Sequence, residues 1–187
     1  MKKIFFVLII FLNSCDLLTT RDPELPEKPR SNFITPTTPE IVFQNFINGV
    51  NDKVLENYIS CFLDKSFLET DYRFVPAAGS INQFPILSEW DINSEKQYFA
   101  NMISQVDKNT KINLLLLNSE KRVFPDSTLI QYDYTLTIPF INQQQVYKGV
   151  SQFTLRVDNR NFWVITKWLD SKSENFLSWS ELKGRMY

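Results

Sequence analysis

The stretch TLIQYDYTLTIPF, residues 128–140, decides the fold class because its apolar residues recur at every second position. The even positions from 130 to 140 are all apolar, whereas Gln131, Asp133, Thr135 and Thr137 occupy the odd positions. Alternation with a period of two is typical of a strand with one buried face and one solvated face. The stretch therefore predicts a half-buried β-strand that presents Asp133 to water.

The same period extends to the rest of the C-terminal half. In residues 147–157 the apolar side chains of Tyr147, Phe153, Leu155 and Val157 fall at odd positions. Residues 112–117 and 162–169 are short runs of strand-forming residues. Asp158-Asn159-Arg160-Asn161 is a turn sequence between the last two runs. These four strands, joined by short connections, predict an antiparallel sheet.

The N-terminal half follows a helical period instead. Thr38 and Pro39 form a helix start, and apolar residues then recur at helical spacing through Val50. A second helical pattern covers residues 54–63, and Ser94 with Gln97 resembles a capping box that opens a third helix. Between them we expect a strand over residues 66–75 and a loop over residues 76–93.

The element order predicts an α+β fold in which three N-terminal helices pack in a strongly bent antiparallel sheet. Three segments carry a resemblance to a known superfamily: residues 57–62, residues 72–76 and the aromatic strand FWVITKWLD at 162–170. Over about residues 37–172 the chain resembles the nuclear transport factor 2-like superfamily, also called SnoaL-like or cystatin-like. The resemblance implies a cone-shaped domain with a pocket. The superfamily includes isomerases, dehydratases, binding subunits and members without chemistry, so the fold does not give the function.

The N-terminus predicts the location of the protein. Lys2 and Lys3 precede nine apolar residues, too few to span a bilayer, and Ser14-Cys15 follows. This segment resembles the lipobox of bacterial lipoproteins, which implies cleavage after residue 14 and acylation of Cys15. The alternative is an ordinary signal peptide with a coincidental cysteine. We expect an envelope protein anchored to a membrane by lipid, with its domain outside the cytoplasm.

The next segment reads as a tether. Residues 16–39 hold five of the nine prolines of the chain, together with many charged residues and no helical or strand period. We therefore divide the chain into a signal peptide (1–14), a lipidated cysteine with a proline-rich tether (15–36) and a domain with a short C-terminal tail (37–187). Phe33 and Ile34 could instead pack on the domain as an ordered arm.

Composition excludes several kinds of chemistry. The chain has no histidine, which removes the commonest general base and zinc ligand, and its net charge of −1 argues against nucleic-acid binding. Asp133 is the most attractive candidate base, but its strand face is polar, and we expect Asp170 to be a surface residue at a strand end. The sequence thus predicts no catalytic residue, no metal site and no cofactor.

Aromatic residues offer two interpretations. Trp90, Tyr98, Trp163 and Trp168 are candidate pocket-lining residues for a small apolar or sugar-like ligand, or they fill the core. The tail around Trp179 has helical spacing, so it docks on its own domain or is offered to a partner. Cys61 lies in an apolar segment and reads as a buried inert thiol, with an intermolecular disulfide as the alternative.

Together these patterns predict a non-catalytic, membrane-anchored lipoprotein that binds a small ligand or an envelope protein partner through its cone-shaped domain. The alternative is an enzyme of the isomerase or lyase type that uses Asp and Tyr side chains in the cone. A deep pocket with a buried carboxylate facing a tyrosine favours the enzyme, whereas a filled interior favours the binding protein.

Overall fold

A computed structural model describes residues 32–187. The predicted signal peptide, Cys15 and most of the predicted tether lie outside the described residues. Within that range the chain forms five α-helices, one 3₁₀ helix and five strands. In chain order these are α1 (Pro39–Asn51), α2 (Leu55–Ile59), β1 (Arg73–Val75), α3 (Ser80–Gln83), the 3₁₀ helix (Pro85–Glu89), α4 (Ile92–Ser104), β2 (Asn113–Val123), β3 (Thr128–Pro139), β4 (Gln144–Val157), β5 (Trp163–Lys172) and α5 (Trp179–Met186).

The five strands form one sheet in the order β1-β5-β4-β3-β2. The four C-terminal strands pair antiparallel as predicted, but β1 pairs parallel with β5. The expectation of a purely antiparallel sheet is therefore wrong at this edge. The chain reaches β1 before α4 and the other strands, so β1 joins the far side of the finished meander rather than forming a hairpin.

The sheet is curved, and its concave face holds the core. Register shifts occur between Leu117 and Glu120 and between Thr154 and Leu155, and such bulges bend and twist a sheet. Helix α1 packs against the concave face, where the ring centroid of Phe46 lies 5.7 Å from that of Trp168. The predicted alternation of β3 is confirmed: its even positions from 128 to 138 are buried except for half-buried Tyr132, and Asp133 is exposed.

Three local predictions in the N-terminal half need correction. The loop expected over residues 76–93 contains α3 and the 3₁₀ helix. The strand expected over residues 66–75 forms only at Arg73–Val75, because β5 offers a partner to these three residues alone. The third helix begins at Ile92 and not at Ser94. Its cap is Asp91, whose side chain accepts a hydrogen bond of 2.8 Å from the Ser94 backbone N–H.

Residues 32–36 of the predicted tether lie along the domain. The Asn45 side chain accepts a 2.9 Å hydrogen bond from the Ile34 N–H and donates one of 2.6 Å to the Ile34 carbonyl. The Trp163 N–H donates to the Pro36 carbonyl at 2.8 Å. Hydrogen bonds of the arm's backbone therefore attach residues 32–36 to the domain, and the side chain of Phe33 packs against the core.

The C-terminal tail forms α5, which docks on its own domain. Ser178 and Glu181 make a reciprocal capping box that starts the helix. Trp179, Leu182 and Lys183 are completely buried. The interpretation of the tail as a docked helix is therefore confirmed. Within residues 32–187 no helix is long and apolar enough to cross a membrane.

Candidate functional site

The interior of the domain is organised around the carboxylate of Glu95. This residue shares the core-facing side of α4 with Tyr98, Phe99 and Met102, at helical spacing, and it is completely buried. Its carboxylate oxygens accept hydrogen bonds from four side chains. The donors are the Tyr58 hydroxyl (2.6 Å), the Tyr72 hydroxyl (3.0 Å), the Trp90 indole N–H (2.8 Å) and the Lys183 ammonium (2.6 Å). We call these five residues the interior cluster.

Lys183 supplies the only positive charge of the interior cluster and comes from α5. Its side chain has no exposed surface, and its Nζ lies 3.6 Å from the ring centroid of Phe74 and 3.8 Å from that of Trp168. Burial lowers the pKa of Lys183 to about 8, although the charge and hydrogen bond of Glu95 act in the opposite direction. The ammonium form therefore predominates at neutral pH, and the two residues form a buried ion pair.

Asp170 is a second buried carboxyl group, only 2% exposed. It accepts hydrogen bonds from the Tyr134 hydroxyl (2.9 Å) and from both the backbone N–H (2.7 Å) and the hydroxyl (2.6 Å) of Ser180. The expectation that Asp170 is a surface residue is wrong, because α5 folds back over the end of β5 and covers it. Burial raises the pKa of Asp170 despite these hydrogen bonds.

Tyr134 connects Asp170 to the start of α5. Its hydroxyl oxygen accepts a 2.7 Å hydrogen bond from the Trp179 backbone N–H while it donates to Asp170. The room for this hydroxyl comes from Gly149 on β4, where a Cβ atom would lie 2.7 Å from the Tyr134 oxygen. A Cβ atom at this position would lie closer still to the Ser171 backbone carbonyl oxygen, so the glycine is required by the close approach of both groups.

The structure brings three of the four candidate pocket residues together in the interior. Trp90 is 5% exposed, and Tyr98 and Trp168 have no exposed surface. The Trp168 indole N–H donates to Ser151, and the Tyr98 hydroxyl accepts from the Trp179 indole. Trp163 is apart from them, half-buried at the start of β5. The three interior side chains fill space that an open pocket would otherwise occupy.

An accessible concavity lies on the outside of the domain. This outer groove has a volume of about 430 Å³ and is lined mainly by apolar side chains, with Arg160 and Lys65 at its edge. Its apolar residues come from the N-terminal arm, the end of α2, the start of α4 and the start of β5: Phe33, Pro36, Ile59, Phe62, Leu63, Ile92, Phe162 and Val164. A shallower depression of about 350 Å³ separates α1 from β2 and β3.

Arg160 at the groove edge belongs to a well-ordered turn. The Asp158 carboxylate accepts two hydrogen bonds from the Arg160 guanidinium, at 2.9 and 2.6 Å, and further ones from backbone N–H groups. Burial would raise the pKa of Asp158, but these hydrogen bonds hold it below its usual value. The Arg160 guanidinium also stacks on the ring of Phe67 at 3.8 Å.

Metal and thiol chemistry find little support in the described residues. Residues 32–187 contain no group of three or more histidine, cysteine, aspartate or glutamate side chains close enough to hold a metal ion. Cys61 is a buried free thiol that donates a hydrogen bond to the Asn57 carbonyl, and burial raises its pKa well above the usual range. A buried thiol with a raised pKa is inert.

Sequence reasoning did not identify Glu95 or Lys183 as partners. A usable signal existed, because Glu95 lies on the apolar stripe of Tyr98, Phe99 and Met102, and Lys183 lies on the stripe of Trp179. A charged residue on an apolar helix face needs a buried partner. Two such residues of opposite charge, 88 positions apart, are candidates for pairing.

Neither a protein-family model nor a curated protein matches the sequence. Solved structures do resemble the fold. A candidate dehydratase of the nuclear transport factor 2-like family from Streptomyces avermitilis is 11% identical, with 72% of this chain and 93% of that chain covered at a TM-score of 0.56. A nuclear transport factor 2-like superfamily protein from Salmonella enterica serovar Typhimurium is 12% identical, with 72% and 87% covered at 0.53.

A third similar structure, a candidate aromatic ring hydroxylase from Novosphingobium aromaticivorans, is 10% identical, with 71% of this chain and 85% of that chain covered at a TM-score of 0.54. At such low identity these likenesses carry no information on activity. What they show is that this α+β domain, with its curved five-stranded sheet, has the nuclear transport factor 2-like fold.

Proposed function

We propose that this chain is a lipid-anchored envelope protein whose domain binds a small apolar ligand without transforming it. The observation that carries the proposal is the state of the interior. Glu95 and Lys183 are completely buried, and Glu95 has four donors within 3.0 Å. General acid–base catalysis needs a group that a substrate can reach. Here the polar groups of the interior cluster are buried and hydrogen-bond to one another.

The outer groove is the proposed ligand site. Its volume of about 430 Å³ lies within the range of small-molecule sites, and its lining is mainly apolar with few polar groups. Phe33 and Pro36 of the N-terminal arm form part of the wall, so the ligand would bind beside the segment that leads to the anchor. Burying apolar surface of the ligand would supply most of the affinity.

Binding in the groove is tested with an environment-sensitive apolar probe, 1-anilinonaphthalene-8-sulfonate. A chain that begins at Asp16 retains every described residue and is titrated with the probe. Ile59→Gln places an amide in the groove wall, and we expect at least a fivefold weaker binding, since one apolar side chain contributes about 1–2 kcal/mol. Ile47→Gln, on the wall of the shallower depression, is the matched control. Equal loss in both variants would contradict the assignment of the groove.

The proposed anchor is tested separately with an alkyne fatty acid fed to cells that express the full chain. The short apolar run that ends at Ser14-Cys15 supports acylation at Cys15. The wild type should incorporate the label, and Cys15→Ala should not. Equal labelling of both chains would overturn the lipid anchor while leaving the groove untouched.

An enzyme of the isomerase or lyase type remains a second candidate, because each buried carboxylate faces a tyrosine. Glu95 accepts from Tyr58 and Tyr72, and Asp170 accepts from Tyr134. Some structures of this fold are also described as candidate dehydratases or hydroxylases. Tyr58→Phe separates the two proposals. If the protein is an enzyme, the folded variant should fail to restore the wild-type phenotype to a deletion strain. If it is a binding protein, the folded variant should restore that phenotype.

A further inference from the structure

The surroundings of the Lys183 ammonium have the chemistry of a cation receptor. Besides Phe74 and Trp168, the rings of Trp90 and Tyr98 lie 5.5 Å from Nζ, so four aromatic rings lie within the distance at which ring faces attract cations. The Glu95 carboxylate completes the enclosure at 2.6 Å. Cages of aromatic rings recognise quaternary ammonium ligands, and the same ring faces attract a Lys ammonium group.

The walls of this enclosure come from parts of the chain other than the helix that carries the lysine. Phe74 comes from β1, Glu95 and Tyr98 from α4, and Trp168 from β5, whereas Lys183 reaches in from α5. The carboxylate is also fixed by donors other than lysine, namely Tyr58, Tyr72 and Trp90. The receptor is therefore preorganised, and Lys183 is its occupant rather than one of its walls.

We infer that the interior of this domain is a binding site for a primary alkylammonium group, which the chain fills with its own Lys183. The site is distinct from the outer groove and does not rest on the function proposed for it. Replacing Lys183 by alanine removes a propylammonium fragment and leaves a cavity of that shape beside an unpaired carboxylate. The cavity should accept n-propylamine in its ammonium form and should discriminate against uncharged molecules of the same size.

The test compares thermal unfolding of the full chain, solubilised in a mild detergent, with and without added n-propylamine at neutral pH. The Lys183→Ala variant should gain about 3–6 °C in its unfolding midpoint at a tenfold excess of amine over its Kd. The wild type should gain nothing because its site is filled. Arg185→Ala, an exposed cation removed from the same helix, is the matched control and should also gain nothing.

The charge requirement is tested with n-propanol and propionate at the same concentrations. Neither should stabilise the Lys183→Ala chain. If that chain does not fold alone, it is refolded from urea in the presence of each compound, and n-propylamine alone should restore the native tryptophan fluorescence. The inference is overturned if n-propylamine has no effect on the midpoint or on refolding, or if n-propanol acts equally well.

Discussion

Among residues 32–187, two places combine a cation, a carboxylate and an aromatic ring, and they differ in burial. At the groove edge Arg160 binds Asp158 at 2.6 Å and stacks on Phe67, while 38% of its side chain is exposed. In the interior Lys183 binds Glu95 at the same distance and stacks on Phe74, with no exposure. Water can replace the partners of Arg160, but nothing can replace those of Lys183. The difference in burial makes the Arg160 pair a surface feature and the Lys183 pair a requirement for the folded structure.

Removing each cation should give the largest difference between the two sites in the free energy of unfolding. Lys183→Met leaves the buried Glu95 carboxylate without a cation, and we expect a loss of about 3–5 kcal/mol in the free energy of unfolding. Arg160→Met should cost no more than about 1 kcal/mol, because the pair is partly solvated. Urea unfolding of both variants measures the two values. Equal losses would mean that burial does not distinguish the pairs.

A smaller difference in stability should follow when each of two tyrosines on β3 is replaced by phenylalanine. Tyr134→Phe leaves Asp170 short of one donor and the Trp179 N–H without its acceptor, so we expect a loss of about 1–3 kcal/mol. Tyr132→Phe is the control, since this half-buried side chain faces the shallower depression, and it should change stability by less than about 0.5 kcal/mol. A neutral Tyr134→Phe variant would show that its hydrogen bonds contribute little.

The strand pattern and the interior cluster were not equally predictable from sequence. The alternation of β3 placed Asp133 on the solvated face correctly, because a local period decides which face a strand residue occupies. The same reasoning misplaced Asp170. Asp170 lies on β5, and its environment is decided by Tyr134 on β3 and Ser180 on α5. A local period in the sequence does not predict contacts between different elements.

Helix α4 illustrates the same limit. The apolar stripe predicted the helix and its buried face, yet Glu95 on that stripe has its counter-ion at position 183. The predicted cap at Ser94 was wrong because the helix begins earlier, at Ile92, where the Asp91 side chain caps it by accepting a hydrogen bond from the Ser94 N–H. Periodicity predicts elements and faces, whereas pairing across the core depends on how the elements pack.

The smallest expected effect is the contribution of Lys183 to the pH dependence of the free energy of unfolding. The pKa of Lys183 is about 8 in the folded chain and near its ordinary value of 10.5 in the unfolded chain. Between pH 8 and 10 the unfolded chain therefore binds more protons, so this group makes the free energy of unfolding rise with pH. Above pH 10 the buried tyrosines act in the opposite direction, because burial raises their pKa values. NMR titration of the Lys183 ε-methylene signal should show a midpoint near 8, and a midpoint at 10.5 or above would contradict this assignment.

The most direct test of a closed interior is acetylation of lysines in the native protein by an N-hydroxysuccinimide ester, followed by peptide mass spectrometry. Lys65 and Lys111, whose side chains are 67% and 77% exposed, serve as internal references. A lowered pKa would make Lys183 the more reactive amine if reagent could reach it, so only burial can protect it. We predict that Lys183 reacts at least about 100-fold more slowly than the references until the protein is unfolded. Acetylation of Lys183 at a comparable rate would show that the interior is open and would contradict the account.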